Sequence, residues 1–332
     1  MQAVVQDAYG ESGVLRLEEV DRPVIGKGQV LLRVHATGVD QGVWHLMAGL
    51  PYPVRLAGYG LRAPKNRVRG REVAGTVEAV GPGVTTLAPG DAVFGVAEGG
   101  FAEYAPARAD KLVPMPANVT FVQAAAVPMS GLTALQAVRD HGRVQSGQQV
   151  LVIGASGGVG SFAVQIAKSC GAQVTGVCRT AKTDLVRSLG ADHVLDYTRE
   201  DLADSGRRYD VVLDTGGNRS LAQLRRVLTP RGRLVIIGQE TEGRLLGGLD
   251  RLLRAMVLSP FVGQHLGGFV SSERGEDLRA LAALLASGAI TPAVDRTFPL
   301  AETPAAIQYL RDGRARGKVV VTVDAAAEGA HG

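Results

Sequence analysis

The hydrophobic pattern of the first 124 residues predicts short β-strands. Apolar and β-branched residues fill Gln29–Ala36 and Glu72–Val80, and Gly81 ends the second of these runs. Pro89–Asp91 is a predicted turn before a third strand, Ala92–Val96. Short strands separated by Gly and Pro are typical of a small barrel or sandwich. We therefore expect an all-β region at the start of the chain.

From about residue 120 the pattern changes to helices and fully apolar strands in alternation. Helices are predicted at Phe121–Met129 and Leu132–His141. The strands predicted after them are Gln149–Ile153, Gln173–Cys178, His193–Leu195, Asp210–Asp214 and Arg233–Gly238, with helices at Ser161–Ser169 and Lys182–Leu189. Such alternation favours a doubly wound parallel sheet. After residue 263, a helix at Glu276–Ala286 and a closing strand at Lys318–Val323 return to a different pattern.

A glycine-rich loop joins the first apolar strand of the alternating region to a helix. It reads Gly154, Ala155, Ser156, Gly157, Gly158, Val159, Gly160. Small residues let a pyrophosphate approach the backbone, and the helix N-terminus offers N–H groups and a favourable dipole. Strand, glycine turn and helix together predict a dinucleotide site, although Ala155 replaces the first Gly of the usual pattern. The alternative is a simple strand-to-helix connector.

The end of the second strand bears on the choice of cofactor. Sites for NAD usually place an Asp or Glu there to bind the ribose hydroxyls. Here Cys178 and Arg179 end the strand, Lys182 follows, and no carboxylate occurs until Asp184, which we expect inside the next helix. Cations pair with a 2′-phosphate, so the sequence predicts NADPH. Tyr197, after the third strand, either binds the same phosphate or packs.

Two further strand ends should face the ribose and nicotinamide, because ligands bind beyond the carboxyl ends of such strands. They contribute Thr215 and Gly216 after one strand, and Ile237 and Gly238 after the next. Ordinary strand-ending turns are the alternative interpretation.

Composition narrows the class of protein. The chain has 332 residues, enough for two domains, with 45% hydrophobic and 20% charged residues and a net charge of +4. This mild excess does not indicate nucleic-acid binding. No apolar run is long enough to span a membrane, and Met1–Val5 shows no signal peptide. Two cysteines fit a reducing cytoplasm.

One basic cluster stands out between the predicted strands of the first region. Its members are Arg62, Lys65, Arg67, Arg69 and Arg71. It is either a hydrated loop or a patch that attracts the anionic tail of a substrate.

Taken together, the motifs resemble those of the medium-chain dehydrogenase/reductase superfamily, most closely its zinc-free quinone oxidoreductase-like branch. The resemblance covers nearly the whole chain. The matching segments are the opening Ala3–Gln6, Gly70–Val77, Gly90–Gly95, Gly131–Ala134, the glycine loop, Leu189–Asp192 and Gly317–Val320.

The resemblance implies an α/β protein with a Rossmann doubly wound parallel sheet plus a GroES-like β-barrel catalytic domain. Residues 1–124 and 265–332 would form the catalytic domain, and residues 125–264 the NADPH-binding domain. It also implies that Thr133 and Lys318 lie near the cofactor, and that Lys182 and Tyr197 contact the 2′-phosphate. Members are often dimers, so a homodimer is expected.

The resemblance also speaks against a catalytic zinc. The family's zinc-ligand positions fall at Asp40, Arg71 and Met129. Zinc takes about four ligands, mainly thiolate and imidazole, whereas Arg71 is cationic and Met129 is a poor ligand. Glu72 remains, but one carboxylate does not make a site. We expect no metal.

Without a metal, hydride must reach an acceptor that is already electrophilic, such as an activated C=C bond or a quinone. Related enoyl reductases carry a proton-donating Tyr near this place, so the resemblance makes Tyr52 a candidate proton donor or else a wall residue, with Tyr59 as a weaker candidate. Asp40 is a proton relay or a turn residue. Trp44, the only Trp, either stacks on the acceptor or packs in the core.

The sequence thus predicts an NADPH-dependent reductase acting on a small enone, enoyl or quinone acceptor. Two alternatives stay open, namely a zinc-free alcohol or aldehyde dehydrogenase and a non-catalytic NADPH-binding protein.

Overall fold

A computed structural model describes residues 1–53, 55–202, 206–238 and 249–324. The chain forms two compact units, one of Met1–Leu132 with Glu273–Gly332 and the other of Thr133–Ser272. Both junctions lie later in the chain than the expected ones after residues 124 and 264. The helix that spans the first junction begins against the first unit, where Gly131 lies close to the Leu281 side chain.

The strands in chain order are β1 (Gln2–Val5), β2 (Arg16–Glu19), β3 (Gln29–Val39), β4 (Glu72–Val80), β5 (Ala92–Val96), β6 (Tyr104–Arg108), β7 (Leu112–Pro114), β8 (Gln149–Ile153), β9 (Gln173–Cys178), β10 (His193–Asp196), β11 (Tyr209–Asp214), β12 (Leu228–Ile236), β13 (His265–Gly268), β14 (Val294–Pro299) and β15 (Lys318–Thr322). The α-helices are α1 (Gln41–Ala48), α2 (Phe121–Ala125), α3 (Pro128–Gln136), α4 (Gly158–Ser169), α5 (Thr183–Ser188), α6 (Leu221–Arg226), α7 (Leu249–Leu258), α8 (Gly275–Ala286) and α9 (Thr303–Arg311).

A seven-stranded sheet forms the frame of the first unit. Its order is β14-β15-β3-β4-β5-β7, and β6 also pairs with β3. The pairs are antiparallel except for β14 with β15. Alternate residues of β3 and β4 point into the core because successive side chains of a strand face opposite sides. Val30, Leu32, Val34, Val73 and Val77 are accordingly buried in one cluster.

The second unit contains a six-stranded parallel sheet of order β10-β9-β8-β11-β12-β13. The chain leaves β8 toward β9 on one side and later returns to β11 on the other. The carboxyl ends of β8 and β11 therefore flank a topological switch point, where open α/β sheets bind ligands. Apolar side chains such as Leu151, Val212 and Leu234 form the buried core beneath it.

The structure corrects one predicted helix. The expected helix Phe121–Met129 is two helices, because Pro128 lacks an N–H group and disfavours helical backbone at the residue before it. The second helix ends at Gln136, earlier than expected, and a π-helical turn at Ala137–Gly142 continues it.

Candidate functional site

The glycine loop lies at the switch point of the second unit. Gly157 is the N-cap of α4, and no side chain caps the helix. The first N–H groups of the helix therefore point outward without a side-chain acceptor. The loop is tight, because a Cβ atom on Gly160 would lie 2.1 Å from the carbonyl oxygen of Gly154. This cradle fits an anionic group held by backbone N–H groups.

The neighbouring strand ends meet the same loop. Thr215 Oγ1 donates a hydrogen bond to the carbonyl oxygen of Ile153 (2.7 Å). A Cβ on Gly154 would lie 2.4 Å from Thr215 Oγ1, and one on Gly238 would lie 1.9 Å from the Thr215 carbonyl oxygen. Backbone from three adjacent strands is thus brought together with no room for extra side chains. Gly216 and Ile237 follow β11 and β12 at the same edge.

The residues predicted to hold the 2′-phosphate lie together beyond β9 and β10. Arg179 Nε donates to Tyr197 Oη at 3.3 Å, and the backbone N–H of Lys182 donates to the carbonyl of Arg179 at 2.9 Å. Cys178 is buried, and burial followed by the charge of Asp196 raises the pKa of its thiol to about 11. Arg179 and Tyr197 are exposed, so both can meet a ligand.

Sequence reasoning missed Asp196, the last residue of β10. Its carboxylate accepts from the hydroxyl of Thr180 and from the N–H (3.0 Å) and hydroxyl (2.7 Å) of Thr198. The Thr180 hydroxyl, more than any other group, lowers the pKa of this carboxyl. Asp196 thereby ties the turn after β9 to the turn after β10. An Asp-Tyr-Thr run at a strand end was the available signal. Asp184 lies in the first turn of α5, as expected, and pairs with Arg187.

In the first unit, Lys318 is fully buried and forms an ion pair with Glu72. Its Nζ also donates to Ser130 Oγ at 3.2 Å. Glu72 accepts two further hydrogen bonds from the N–H groups of Met129 (2.8 Å) and Ser130 (3.3 Å). Burial raises the pKa of Glu72 to about 7, against the charge of Lys318. The expected place of Lys318 beside a cofactor stays a prediction, as does that of Thr133, which is half-buried in α3.

The three residues proposed from the sequence for catalysis lie on or next to α1. Asp40 is its N-cap and accepts from the N–H of Val43 at 2.8 Å, which fits the turn-residue interpretation. Trp44 is partly buried against the core, with the Arg311 guanidinium 3.6 Å from its ring centre, and its stacking on an acceptor stays a prediction. Tyr52 is 42% exposed, with the Arg55 guanidinium 5.0 Å from its ring.

A cavity of about 280 Å³ lies beside α1. Val43 and Leu46 of the helix contribute to its wall, together with Tyr59, the weaker of the two tyrosine candidates. The basic cluster contributes Lys65, Arg69 and Arg71, and the remaining lining residues are Gly58, Asn66, Val68, Gly70, Glu98 and Gly99. The cavity is thus built mainly from residues that sequence reasoning did not assign to catalysis.

Comparison with known proteins shows which family the chain belongs to. An alcohol dehydrogenase GroES-like domain family matches residues 26–117, and a zinc-binding dehydrogenase family matches residues 189–321. The mitochondrial NAD(P)H oxidoreductase RTN4IP1 of Mus musculus is 32% identical, across 97% of this chain and 89% of the relative. The chain belongs to the medium-chain dehydrogenase/reductase superfamily, in its quinone oxidoreductase-like branch.

Solved structures of other medium-chain reductases agree. The quinone oxidoreductase from Coxiella burnetii superposes with a TM-score of 0.85 at 27% identity, covering 98% of this chain and 99% of the other. CurK enoyl reductase gives a TM-score of 0.82 at 25% identity, covering 97% and 99%. The expected fold class, Rossmann sheet plus GroES-like domain, is confirmed. The protein is an oxidoreductase that uses a nicotinamide cofactor.

The positions that would hold zinc in this superfamily do not fit a zinc ion in this reductase. Asp40 caps a helix, and the Arg71 guanidinium pairs with Glu273. The Glu72 carboxylate is held by Lys318 and by backbone N–H groups, including that of Met129. Across the ranges that the structure describes, no three His, Cys, Asp or Glu side chains cluster as a metal site. Within those same ranges, no helix has the length and apolar character needed to cross a membrane.

Proposed function

We propose that this medium-chain reductase is NADPH-dependent and zinc-independent, and that it transfers hydride to an activated C=C bond of an enone or enoyl compound, or to a quinone. The choice of NADPH over NADH rests on the hydrogen-bonded pair that Arg179 and Tyr197 form beyond β9 and β10. With Lys182 in the following turn, these side chains offer a guanidinium, an ammonium and a phenol to a 2′-phosphate. The names of an NAD(P)H oxidoreductase, a quinone oxidoreductase and an enoyl reductase among its relatives support the reaction class.

The glycine loop would hold the pyrophosphate of NADPH, since Gly157 and Gly160 leave the backbone open to it. Thr215 and Gly238 would line the path toward the ribose and nicotinamide. When bound, the cofactor supplies a hydride from C4 of its nicotinamide. The protein positions the acceptor and excludes water, which is the main requirement when the acceptor is already electrophilic.

Zinc independence is supported by charge. The superfamily's ligand positions carry Arg71 and Met129, and the remaining carboxylate, Glu72, is neutralised by Lys318. A divalent cation would have to displace that ammonium and would meet a guanidinium. For each hydride that reaches the β-carbon of an enone, one proton must reach the α-carbon. Tyr52, whose ring is partly exposed, is the candidate donor.

The first test follows NADPH and NADH oxidation with a panel of enones, quinones and enoyl thioesters, after exhaustive treatment with a chelator. We expect turnover with NADPH that survives chelation and exceeds turnover with NADH. Oxidation of alcohols by NADP alone would point to an alcohol dehydrogenase instead. Tight NADPH binding without any turnover would point to a non-catalytic protein. Tyr52→Phe should lower kcat for the enone more than it changes KM if the phenol donates the proton.

The second test addresses the 2′-phosphate. The double variant Arg179→Asp/Lys182→Ala should lose roughly 10- to 100-fold in NADPH affinity, since a hydrogen bond to a charged group contributes about 1.5–3 kcal/mol. Its affinity for NADH should change little. Arg187→Ala is the matched control, because Arg187 is a neighbouring exposed cation that already pairs with Asp184. An unchanged ratio of NADPH to NADH affinity in the double variant would refute the assignment.

We also propose that the reductase works as a homodimer in the cytoplasm on a small-molecule substrate. Neither cysteine is paired in a disulfide, and Cys170 is exposed, which suits a reducing compartment. Light scattering during size-exclusion chromatography should give twice the mass of 34.6 kDa. A mass of one chain across micromolar concentrations would rule out the dimer.

A further inference from the structure

The cavity beside α1 contains a buried cation that the proposed function does not use. Arg69 is only 6% exposed. Its Nε donates to Gln6 Oε1 at 2.9 Å, and its Nη2 is buried without a hydrogen-bond partner within the described part of the chain. No carboxylate pairs with Arg69 there, whereas most buried charges in proteins are paired.

The neighbouring arginines show that this lack of a partner is specific to Arg69. Arg67, two positions earlier, pairs with Asp7 and Glu18 on the surface. Arg71, two positions later, pairs with Glu273. Among the residues that the structure describes, the arginines on both sides of Arg69 therefore have acidic partners and Arg69 has none.

The local structure holds the guanidinium in place. Gln6 is fully buried, and its Nε2 donates to the carbonyl oxygens of Ala8 (2.9 Å) and Met47 (3.1 Å). These two bonds fix the orientation of the amide and aim its oxygen at Arg69 Nε. Burial lowers the pKa of Arg69 relative to an exposed guanidinium, yet arginine stays protonated in proteins. A positioned, desolvated positive charge is the result.

The rest of the cavity indicates the kind of ligand. Lys65 and Asn66 add donors to the lining, and Val43, Leu46 and Val68 add apolar side chains. The acidic lining residue, Glu98, is exposed, and no ion pair joins it to Arg69 among the described residues. Planar guanidinium groups match carboxylates through paired N–H donors. A cavity of about 280 Å³ accommodates a small molecule with an apolar body and one such group.

We propose that this cavity binds the carboxylate of a small, partly apolar ligand at Arg69, with Lys65 as a second cation. One further step rests on the proposed function, namely that this ligand is the hydride acceptor. The preferred acceptor is then an unsaturated carbonyl compound that carries a carboxylate. In its reduction, hydride adds to the β-carbon, a proton adds to the α-carbon, NADPH becomes NADP⁺, and the carboxylate is unchanged.

Binding is tested without turnover, by titrating the cofactor-free protein with cinnamate and with its neutral isostere cinnamamide in a calorimeter. We expect cinnamate to bind at least about tenfold more tightly. Arg69→Met should abolish that preference, and Arg69→Lys should retain part of it. Arg67→Gln is the matched control, since it removes the same charge two residues away and should keep the preference. Equal affinities for the two probes in the unaltered protein overturn the proposal without reference to any variant.

Turnover is tested with 4-oxo-4-phenylbut-2-enoate and its methyl ester as acceptors for NADPH. We expect kcat/KM to favour the acid by at least about tenfold, mainly through KM, Arg69→Met to bring the ratio of acid to ester close to one, and Arg67→Gln to keep the ratio. If neither acceptor is reduced but cinnamate still binds through Arg69, the proposed function fails and the carboxylate site stands. If both acceptors are reduced equally and neither probe binding nor turnover depends on Arg69, the carboxylate site fails and the reductase stands.

Discussion

The buried pair of Glu72 and Lys318 allows a quantitative test of what stabilises the first unit. Glu72 is 0% exposed and Lys318 is 1% exposed. Removing one member of a buried ion pair leaves the other charge uncompensated and typically costs about 3–5 kcal/mol. We expect Lys318→Met and Glu72→Gln each to lower the free energy of unfolding by about that amount near pH 8. The double variant should cost about 2–3 kcal/mol less than the sum of the two single variants, which is their coupling energy.

The effect of pH follows from the carboxyl group. Its pKa in the folded protein is raised from 4.5 to about 7. A raised folded pKa contributes stability below the unfolded value, and that contribution is lost as pH rises through 7. At 1.36 kcal/mol per pKa unit, the loss is about 3 kcal/mol. Glu72→Gln should abolish this dependence. Lys318→Met should extend it to higher pH, because removing the ammonium raises the pKa of Glu72 further, so the variant should be less impaired at pH 5.5 than at pH 8.

The assay uses the single tryptophan. Trp44 lies in the first unit, so its fluorescence during urea titration reports on that unit separately from the second. Glu78→Gln, also on β4, is the matched control. Its side chain is 42% exposed with Arg22 3.9 Å away, and its removal should cost less than about 0.5 kcal/mol. The pair does not stabilise the unit as argued if Lys318→Met costs under about 1 kcal/mol at pH 8 and its free energy of unfolding depends on pH as that of the unaltered protein does.

Three further outcomes follow from local geometry. Gly160→Ala should weaken NADPH binding at least about tenfold, because its Cβ would lie 2.1 Å from a backbone oxygen of the same turn. Gly267→Ala, whose Cβ meets no atom within 4 Å, should leave NADPH binding unchanged, and equal affinities of the two variants by fluorescence titration would contradict the prediction. Iodoacetamide at pH 8 should modify the exposed Cys170 and spare Cys178, whose pKa is about 11, so equal labelling by mass spectrometry would count against the burial of the second thiol. Gly38→Ala should destabilise the first unit by about 1–3 kcal/mol, because its Cβ would lie 2.2 Å from the buried carboxylate; an unchanged urea midpoint in tryptophan fluorescence would refute that clash.

The predictions that held from sequence alone rest on local periodicity. The strands Glu72–Val80, Ala92–Val96, Gln149–Ile153 and Gln173–Cys178 have the predicted bounds. Each is an apolar run bounded by turn residues, which the chain encodes within a few positions. The glycine loop also lies between a strand and a helix, as its spacing indicates.

What could not be predicted depends on residues far apart in the chain. Lys318 and Glu72 are separated by 246 positions, and no local pattern indicates that they meet. Arg69 stands in a run of cations that is also compatible with a hydrated loop. Arg67 does form surface ion pairs, but Arg69 is buried and its Nε donates to the Gln6 side chain. Tertiary contacts decide which members of one basic run face water.

The strand order of the first unit determines when that unit can finish folding during synthesis. β15 lies between β14 and β3, so residues near the end of the chain pair with residues near its start. A ribosome working at about 5–20 residues per second releases the second unit before β15 exists. Until β15 is synthesised, the edge of β3 that pairs with it stays exposed, and the Glu72 carboxylate lacks the ammonium group of Lys318. The first unit can therefore be completed only after the second unit has been synthesised, and chaperones that shield unpaired strand edges would act during that interval.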